Sequence, residues 1–121
     1  MTVIRQEDLI ESIADALQFI SYYHPLDFIR AMRGAWEKEE SPSAKAALTQ
    51  VLVNSRMCAI GKRPICQDTG IVNVFISVGM DVSWEADMSL EDMINEGVRK
   101  GYTHPENVLR GSVLELSLIH I

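Results

Sequence analysis

Two prolines that each open a stretch of helical periodicity constrain the first half of this chain most strongly. Proline fits the first turn of a helix, where its missing N–H would have no partner, but it interrupts a helix that arrives from the N-terminal side. Pro25 and Pro42 are such breaks, and Ser41 is a suitable N-cap before the second. The apolar spacing therefore predicts three helices, over residues 7–21, 25–39 and 42–57. The side chains expected to face inward are Leu9, Ile13, Ala16, Leu17, Ile20, Leu26, Ile29, Met32, Trp36, Ala44, Ala47, Leu48, Val51 and Leu52.

The second half of the chain, after a helix stop at Gly61, mixes strand and helix signals. Residues 71–78 are rich in β-branched and aromatic side chains, which predicts a strand; a turn and a short return strand over residues 82–84 follow. Ser89, with an acid three residues later as in a capping box, begins a fourth helix that Gly101 ends. The buried stripe of this helix is predicted to contain Leu90, Met93, Ile94 and Val98. Helices followed by a strand and a helix predict an α+β fold in one domain.

The composition excludes several classes of function. The 121 residues are 47% apolar and 23% charged, which suits one soluble domain with its own core. The net charge of −6 argues against nucleic acid, since phosphate binding needs a clustered Lys and Arg surface, although a few local cations can hold a dianionic small substrate. No apolar run reaches the roughly 18–20 residues of a membrane span, and the N-terminus is unlike a secretory signal. We therefore expect a cytoplasmic protein with neither nucleic-acid nor membrane partners.

A polar loop ahead of the predicted strand carries the side chains best suited to chemistry. Cys66, Gln67 and Asp68 place a thiol, an amide and a carboxylate side by side, where a neighbouring element can hold the backbone. Chemistry alone leaves a buried structural Cys66 as one interpretation. A thiol nucleophile needs a histidine partner, and no histidine lies near Cys66 in the sequence. A zinc site typically contains a Cys-x-x-Cys pair, and the spacing from Cys58 to Cys66 does not match one. A lone cysteine can also supply one ligand of an iron–sulfur cluster whose other ligands come from elsewhere.

The sequence around this loop resembles a known family. Residues 63–70, Arg-Pro-Ile-Cys-Gln-Asp-Thr-Gly, are similar to the signature of class I fumarate hydratases, which the related tartrate dehydratases share. The resemblance extends over about residues 2–113. The other segments that carry it are residues 21–25, 54–58, 92–98 and 107–110.

The resemblance implies a hydro-lyase that reversibly hydrates fumarate to (S)-malate. In that family three cysteines hold a [4Fe–4S] cluster with one iron free of protein ligands, and Cys66 matches the first of the three. Gln67 and Asp68 match residues that line the substrate pocket, with Asp68 a candidate for acid–base catalysis. Arg110 matches an arginine that grips a substrate carboxylate. Cys58 matches no ligand position and is expected to be a core thiol. The expected substrate is a small dicarboxylate. The full-length enzymes of this family are typically homodimers.

The last residues depart from the family pattern. Residues 114–121, Leu-Glu-Leu-Ser-Leu-Ile-His-Ile, have no counterpart in it, so the expected division is a truncated family domain over residues 1–113 and a non-family tail, with a real short strand as the alternative. Because two cluster ligands and most of the pocket are missing, this chain alone is expected to be inactive. A tartrate dehydratase of the alpha type and a small acidic helical binding module are the competing interpretations.

Overall fold

Four helices and two short strands make up the described part of the structure, a computed structural model that covers residues 1–65, 71–106 and 109. In chain order the elements are β1 (Thr2–Arg5), α1 (Gln6–Tyr22), α2 (Leu26–Lys38), α3 (Pro42–Gly61), β2 (Val82–Glu85) and α4 (Leu90–Tyr102). The predicted α+β fold class is therefore confirmed. The chain forms two compact units, one of residues 1–18 with the residues from 69 onward, the other of residues 19–68. Among the described residues, no helix combines the length and apolarity needed to cross a membrane.

The helix starts follow the two prolines, as predicted. α2 begins at the residue after Pro25, and α3 begins at Pro42 itself. Ser41 occupies the N-cap position of α3, but its side chain makes no capping hydrogen bond. The helix runs past residue 57 and ends at Gly61, which confirms the helix stop predicted there. Lys62 then adopts the left-handed conformation, with φ 49° and ψ 55°, which glycine usually adopts after a helix.

The two strands pair with each other in parallel, in a register that sets Thr2 opposite Val82. β1 was not predicted. β2 lies where the return strand was predicted, but it pairs with β1 and not with residues 71–78. The side-chain oxygen of Gln6 accepts a hydrogen bond from the N–H of Asp87 at 3.1 Å. This contact ties the chain after β2 to the start of α1.

The strand predicted over residues 71–78 is wrong, because residues 71–79 contain neither a strand nor a bridge. Their large apolar side chains are exposed, Phe75 almost completely. β-branched and aromatic residues favour a strand only where a neighbouring strand completes the hydrogen-bond ladder. Within the described residues β2 pairs with β1, so the sequence preference of this segment is not satisfied.

Helix α1 buries Ile10, Ala14 and Leu17, which share one face at spacings of four and three residues. The predicted inward stripe of α1 is wrong in detail: Leu17 is its one buried member, and Ile20 is 61% exposed. On α4 the prediction is closer, since Met93 and Val98 are buried.

Two glycines of α4 lie against the buried face of α1. An added Cβ at Gly97 would lie 2.7 Å from the Ile13 Cβ and 3.0 Å from the Ile10 carbonyl oxygen. At Gly101 it would lie 3.4 Å from the Ala14 Cα. Gly101 was predicted to end the helix; α4 ends one residue later, at Tyr102, and the Gly101 carbonyl accepts a hydrogen bond from the Gln18 amide at 2.6 Å. The missing side chains let the two helices approach closely.

Helices α2 and α3 pair within the second unit with little burial. Most of their predicted inward residues are only half-buried, and Leu26 is 62% exposed, since a pair of helices covers only part of each apolar face. The buried residues of α3 are Ser55, which was not predicted to face inward, and Cys58, which was predicted to be a core thiol. Trp36 joins the helices: its indole N–H donates to the Thr49 hydroxyl at 2.8 Å.

We predict that Gly97→Ala destabilises the chain by about 1–3 kcal/mol, the usual cost of forcing extra atoms into a packed contact. Gly34→Ala is the matched control, because Gly34 also lies inside a helix but has nothing within 4 Å of an added Cβ. That control is expected to be stabilising by up to about 1 kcal/mol through helix propensity. Urea unfolding followed by circular dichroism measures both; a Gly97→Ala variant as stable as wild type would contradict the close approach.

Candidate functional site

The loop that carries the family signature starts directly after α3. The structure describes this loop through Ile65 and resumes at Ile71. All four predicted site residues, Cys66, Gln67, Asp68 and Arg110, lie outside the described residues, so their roles stay predictions. What the structure does describe is the backbone that leads to Cys66.

Three hydrogen bonds hold the start of this loop. The Arg63 N–H donates to the Cys58 carbonyl at 3.1 Å, and the Ile65 N–H donates to the Ser21 carbonyl at 2.9 Å. The Cys58 Sγ lies 3.4 Å from the Pro64 carbonyl oxygen and donates to it. We call Ser21, Cys58, Pro64 and Ile65 the loop anchor. It ties the loop to the ends of α1 and α3 within the second unit.

The Ser21 carbonyl is available for this contact because of its place in α1. The last four carbonyls of a helix have no N–H partner further along the helix. Ser21 is one residue from the end of α1 and is buried, so its carbonyl gives up its hydrogen bonds to water when the chain folds. The Ile65 N–H supplies the hydrogen bond that replaces them. The loop therefore provides a hydrogen-bond donor for a carbonyl at the end of α1, and the same hydrogen bond fixes the loop backbone at Ile65.

His24 and Ser55 continue the contacts around the loop anchor. The His24 Nδ1 and the buried Ser55 hydroxyl are 3.0 Å apart, and the His24 ring stacks on Phe28 with 4.4 Å between ring centroids. Ser55 lies three residues before Cys58 on α3, so both point to the same side of the helix. Burial lowers the pKa of His24 below its ordinary value of 6.5.

These contacts bring together three segments on which the family resemblance rests. Residues 21–25, 54–58 and 63–65 are far apart in sequence, yet their hydrogen bonds join them at the start of the signature loop. The consequence is chemical: the backbone is held at Ile65, one residue before the predicted cluster ligand. A ligand attached to a fixed backbone loses less conformational entropy when it binds a metal.

The two cysteines of the chain have different surroundings. Cys58 is buried with its thiol bonded to the Pro64 carbonyl, which confirms the prediction of a core thiol. Cys66 is the remaining thiol of the sequence. Iron–sulfur clusters are held mainly by cysteine thiolates, so the donor chemistry fits one ligand from this chain. Within residues 1–65, 71–106 and 109, no three His, Cys, Asp or Glu side chains lie close enough to hold a metal ion.

A cleft of about 340 Å³ lies beside α4 and contains one cation, as a dicarboxylate site would require. Its cation, Arg99, already forms an ion pair with Glu96, and this pair lowers the pKa of the Glu96 carboxyl through the hydrogen bond. A second carboxylate, Asp92, lines the same cleft. Two carboxylates beside a neutralised arginine disfavour a dianion, so this cleft is a poor substrate site.

Sequence reasoning missed the roles of Ser21, Ser55 and His24. His24 lies between α1 and α2, and the sequence gives no sign of its contact with Ser55. One sequence feature could have indicated their importance: all three lie in segments 21–25 and 54–58, which resemble the family. No spacing rule predicts which residues of different helices meet.

Comparison with known proteins decides the family. A family model described as fumarate hydratase (Fumerase) matches residues 10–120. The chain belongs to the fumarate hydratase family. The resemblance stated from the loop signature is thereby confirmed. The match runs to residue 120 and so passes the boundary proposed at residue 113; residues 114–121 lie outside the described part, and the tail stays a prediction.

A curated relative points to a second activity within this hydro-lyase family. A putative L(+)-tartrate dehydratase subunit alpha from Methanocaldococcus jannaschii is 30% identical to this chain over 88 residues. The aligned part covers 73% of this chain and 31% of that protein. The chain thus spans about a third of the length of the curated relative it matches.

We predict that Cys58 resists alkylation in the folded chain, because its thiol is buried and bonded to the Pro64 carbonyl. Treatment with iodoacetamide followed by peptide mass spectrometry, with and without urea, measures the modified fraction of each cysteine separately. Cys58 should be modified only in urea. Rapid labelling of Cys58 in the absence of urea would show that the loop anchor does not enclose it.

We predict that stability falls as the pH drops through 6.5, because the depressed pKa of His24 means that the unfolded chain binds the proton more readily. The contribution is fully present above about pH 7.5 and is lost as pH falls toward the lowered folded pKa. His24→Gln should reduce this pH dependence, measured by urea unfolding at several pH values. His104→Gln is the matched control; an equal reduction there would contradict the assignment.

Proposed function

We propose that this chain is part of a hydro-lyase that reversibly hydrates fumarate to (S)-malate with a [4Fe–4S] cluster, to which Cys66 supplies one ligand. The observation that carries the proposal is the family match over residues 10–120. The loop anchor supports it, because the anchor holds the backbone one residue before Cys66. A cytoplasmic location and a homodimeric full-length enzyme belong to the same proposal.

Each signature residue has a role that suits its chemistry. When bound, the cluster supplies a Lewis acid that stabilises negative charge on substrate oxygens without a change of oxidation state. Arg110 binds a substrate carboxylate through two parallel N–H···O hydrogen bonds, for which its planar guanidinium is suited. Asp68 holds or moves a proton at its carboxylate oxygen, and Gln67 orients the dicarboxylate through its amide.

Tartrate is the second candidate substrate. The curated relative with 30% identity is a putative tartrate dehydratase subunit, and the two reactions both remove water from a hydroxydicarboxylate. Fumarate is preferred because the resemblance to fumarate hydratases extends through the N-terminal helices. Competition between malate and tartrate in a full-length family enzyme that carries this segment would separate the two substrates. A small acidic helical binding module is disfavoured by the family match.

We predict that Cys66→Ser in such a full-length enzyme abolishes the visible absorption of the cluster, since serine is a much poorer iron ligand than a thiolate. Cys58→Ser is the matched control and should keep the absorption, because Cys58 is bonded inside the protein. Anaerobic reconstitution followed by iron and sulfide analysis measures the result. An intact cluster in Cys66→Ser would exclude the ligand role.

For the 121-residue chain itself we predict no fumarate hydration above background after anaerobic reconstitution. The reason is that one thiol ligand cannot hold a cubane cluster on its own. Absorbance of fumarate in the ultraviolet measures turnover directly. Measurable turnover by the chain alone would contradict this prediction.

A further inference from the structure

The two helix ends that hold the signature loop are also joined to each other by a contact that does not involve the loop. The loop is bonded to α1 through the Ser21 carbonyl and to α3 through the Cys58 thiol. His24 lies three residues after Ser21, and Ser55 lies three residues before Cys58. The His24 Nδ1 and the Ser55 hydroxyl are 3.0 Å apart. Together these bonds close a ring through the loop and both helix ends, which we call the contact ring.

The chain segments within the contact ring are short and mostly helical. The α3 side is one turn of helix, from Ser55 to Cys58. The α1 side runs from Ser21 to His24 and includes the last residues of α1. Because short segments of fixed conformation transmit position well, the His24–Ser55 contact holds the Ser21 carbonyl in place relative to the Cys58 thiol. If that contact breaks, the ring opens, and any shift of one helix end acts directly on the loop.

The surroundings of the His24–Ser55 contact favour a single geometry. The Ser55 hydroxyl belongs to a buried residue, so loss of its partner is costly. The His24 ring stacks on Phe28 with 4.4 Å between centroids and 20° between planes, which limits rotation of the imidazole. Burial lowers the pKa of His24, so the ring is mainly neutral at neutral pH and needs no counter-charge.

A serine beside a histidine also occurs in hydrolases, where the pair forms a nucleophile and its base. A nucleophilic serine must be able to reach a substrate. Ser55 is buried on the inner side of α3, and its hydroxyl lies against His24. The pair is therefore suited to hold parts of the protein in position and not to attack a substrate.

We propose that His24 and Ser55 are positioning residues for the signature loop: their contact fixes the backbone at Ile65 and thereby the point from which Cys66 reaches the cluster. The role at Ile65 uses described contacts alone, whereas the role toward Cys66 rests on the proposed function. A ligand on a fixed backbone loses less conformational entropy on binding, so the cluster is retained longer.

Amide hydrogen exchange of the whole 121-residue chain, resolved at Ile65 by nuclear magnetic resonance, tests the first role. In Ser55→Ala the Ile65 N–H should exchange about threefold to tenfold faster than in wild type, the range given by the net contribution of one hydrogen bond. Thr49→Val is the matched control, because it removes the hydrogen bond to Trp36 from the same helix, six residues earlier. This control should leave exchange at Ile65 unchanged.

Two variants of His24 separate the hydrogen bond from the bulk of the ring. His24→Asn keeps a polar atom as many bonds from the backbone as Nδ1, so it should restore exchange at Ile65 to near the wild-type rate. His24→Leu has no polar atom there and should exchange as fast at Ile65 as Ser55→Ala. Unchanged exchange in Ser55→Ala would overturn the proposal. So would an equal acceleration in Thr49→Val, because the effect would then be a general loss of stability.

Retention of the cluster by a full-length family enzyme that carries this segment tests the second role. The rate at which a chelator bleaches the visible absorption should rise about threefold to tenfold in Ser55→Ala and stay unchanged in Thr49→Val. Cluster loss at the wild-type rate in Ser55→Ala would exclude the role toward Cys66. A wild type that takes up no cluster would instead refute the proposed function, and exchange at Ile65 would still decide whether His24 and Ser55 position the loop.

Discussion

The hydrogen bond from the Ile65 N–H to the Ser21 carbonyl is the contact on which the functional part of this chain depends. The last carbonyls of a helix have no N–H partner within the helix, and the N–H groups of a loop have no regular carbonyl partner. Here the Ser21 carbonyl and the Ile65 N–H pair with each other. Cys58 adds a second tie through its thiol and its carbonyl, so the loop is held from both α1 and α3. Through these bonds α1 and α3 determine where the loop backbone lies just before Cys66, the proposed cluster ligand.

The buried polar residues near this contact explain why the second unit has an unusual interior. Its buried residues on α3 are Ser55 and Cys58 rather than large aliphatic side chains. A buried hydroxyl without a partner is costly, and His24 supplies that partner to Ser55. The same burial disfavours the charged imidazole, which links protonation of His24 to the stability of the unit. Hydrogen bonding as well as packing thus holds the residues around the start of the loop.

Local rules accounted for the helices because their causes are local. Pro25 and Pro42 limit backbone geometry within one residue, and Ser89 caps α4 by accepting the N–H of Asp92 at 3.1 Å, as its sequence position predicted. The same rules failed at residues 71–78, because a strand needs a partner that local sequence does not contain. They also failed at the buried face of α1, which lies against two α4 glycines that are distant in sequence.

For the site, the sequence by itself determined the chemistry: the thiol, amide and carboxylate of the signature loop, and the family to which they point. It also separated Cys66 from Cys58, by the match to the family signature. Only the tertiary structure decided how Cys58 is used, as a buried donor to the Pro64 carbonyl, and that His24, Ser55 and Ser21 lie around the start of the loop. The physical reason is that residue type and covalent order are properties of the chain, whereas hydrogen bonds between residues 31 or 44 positions apart exist only once the helices have packed.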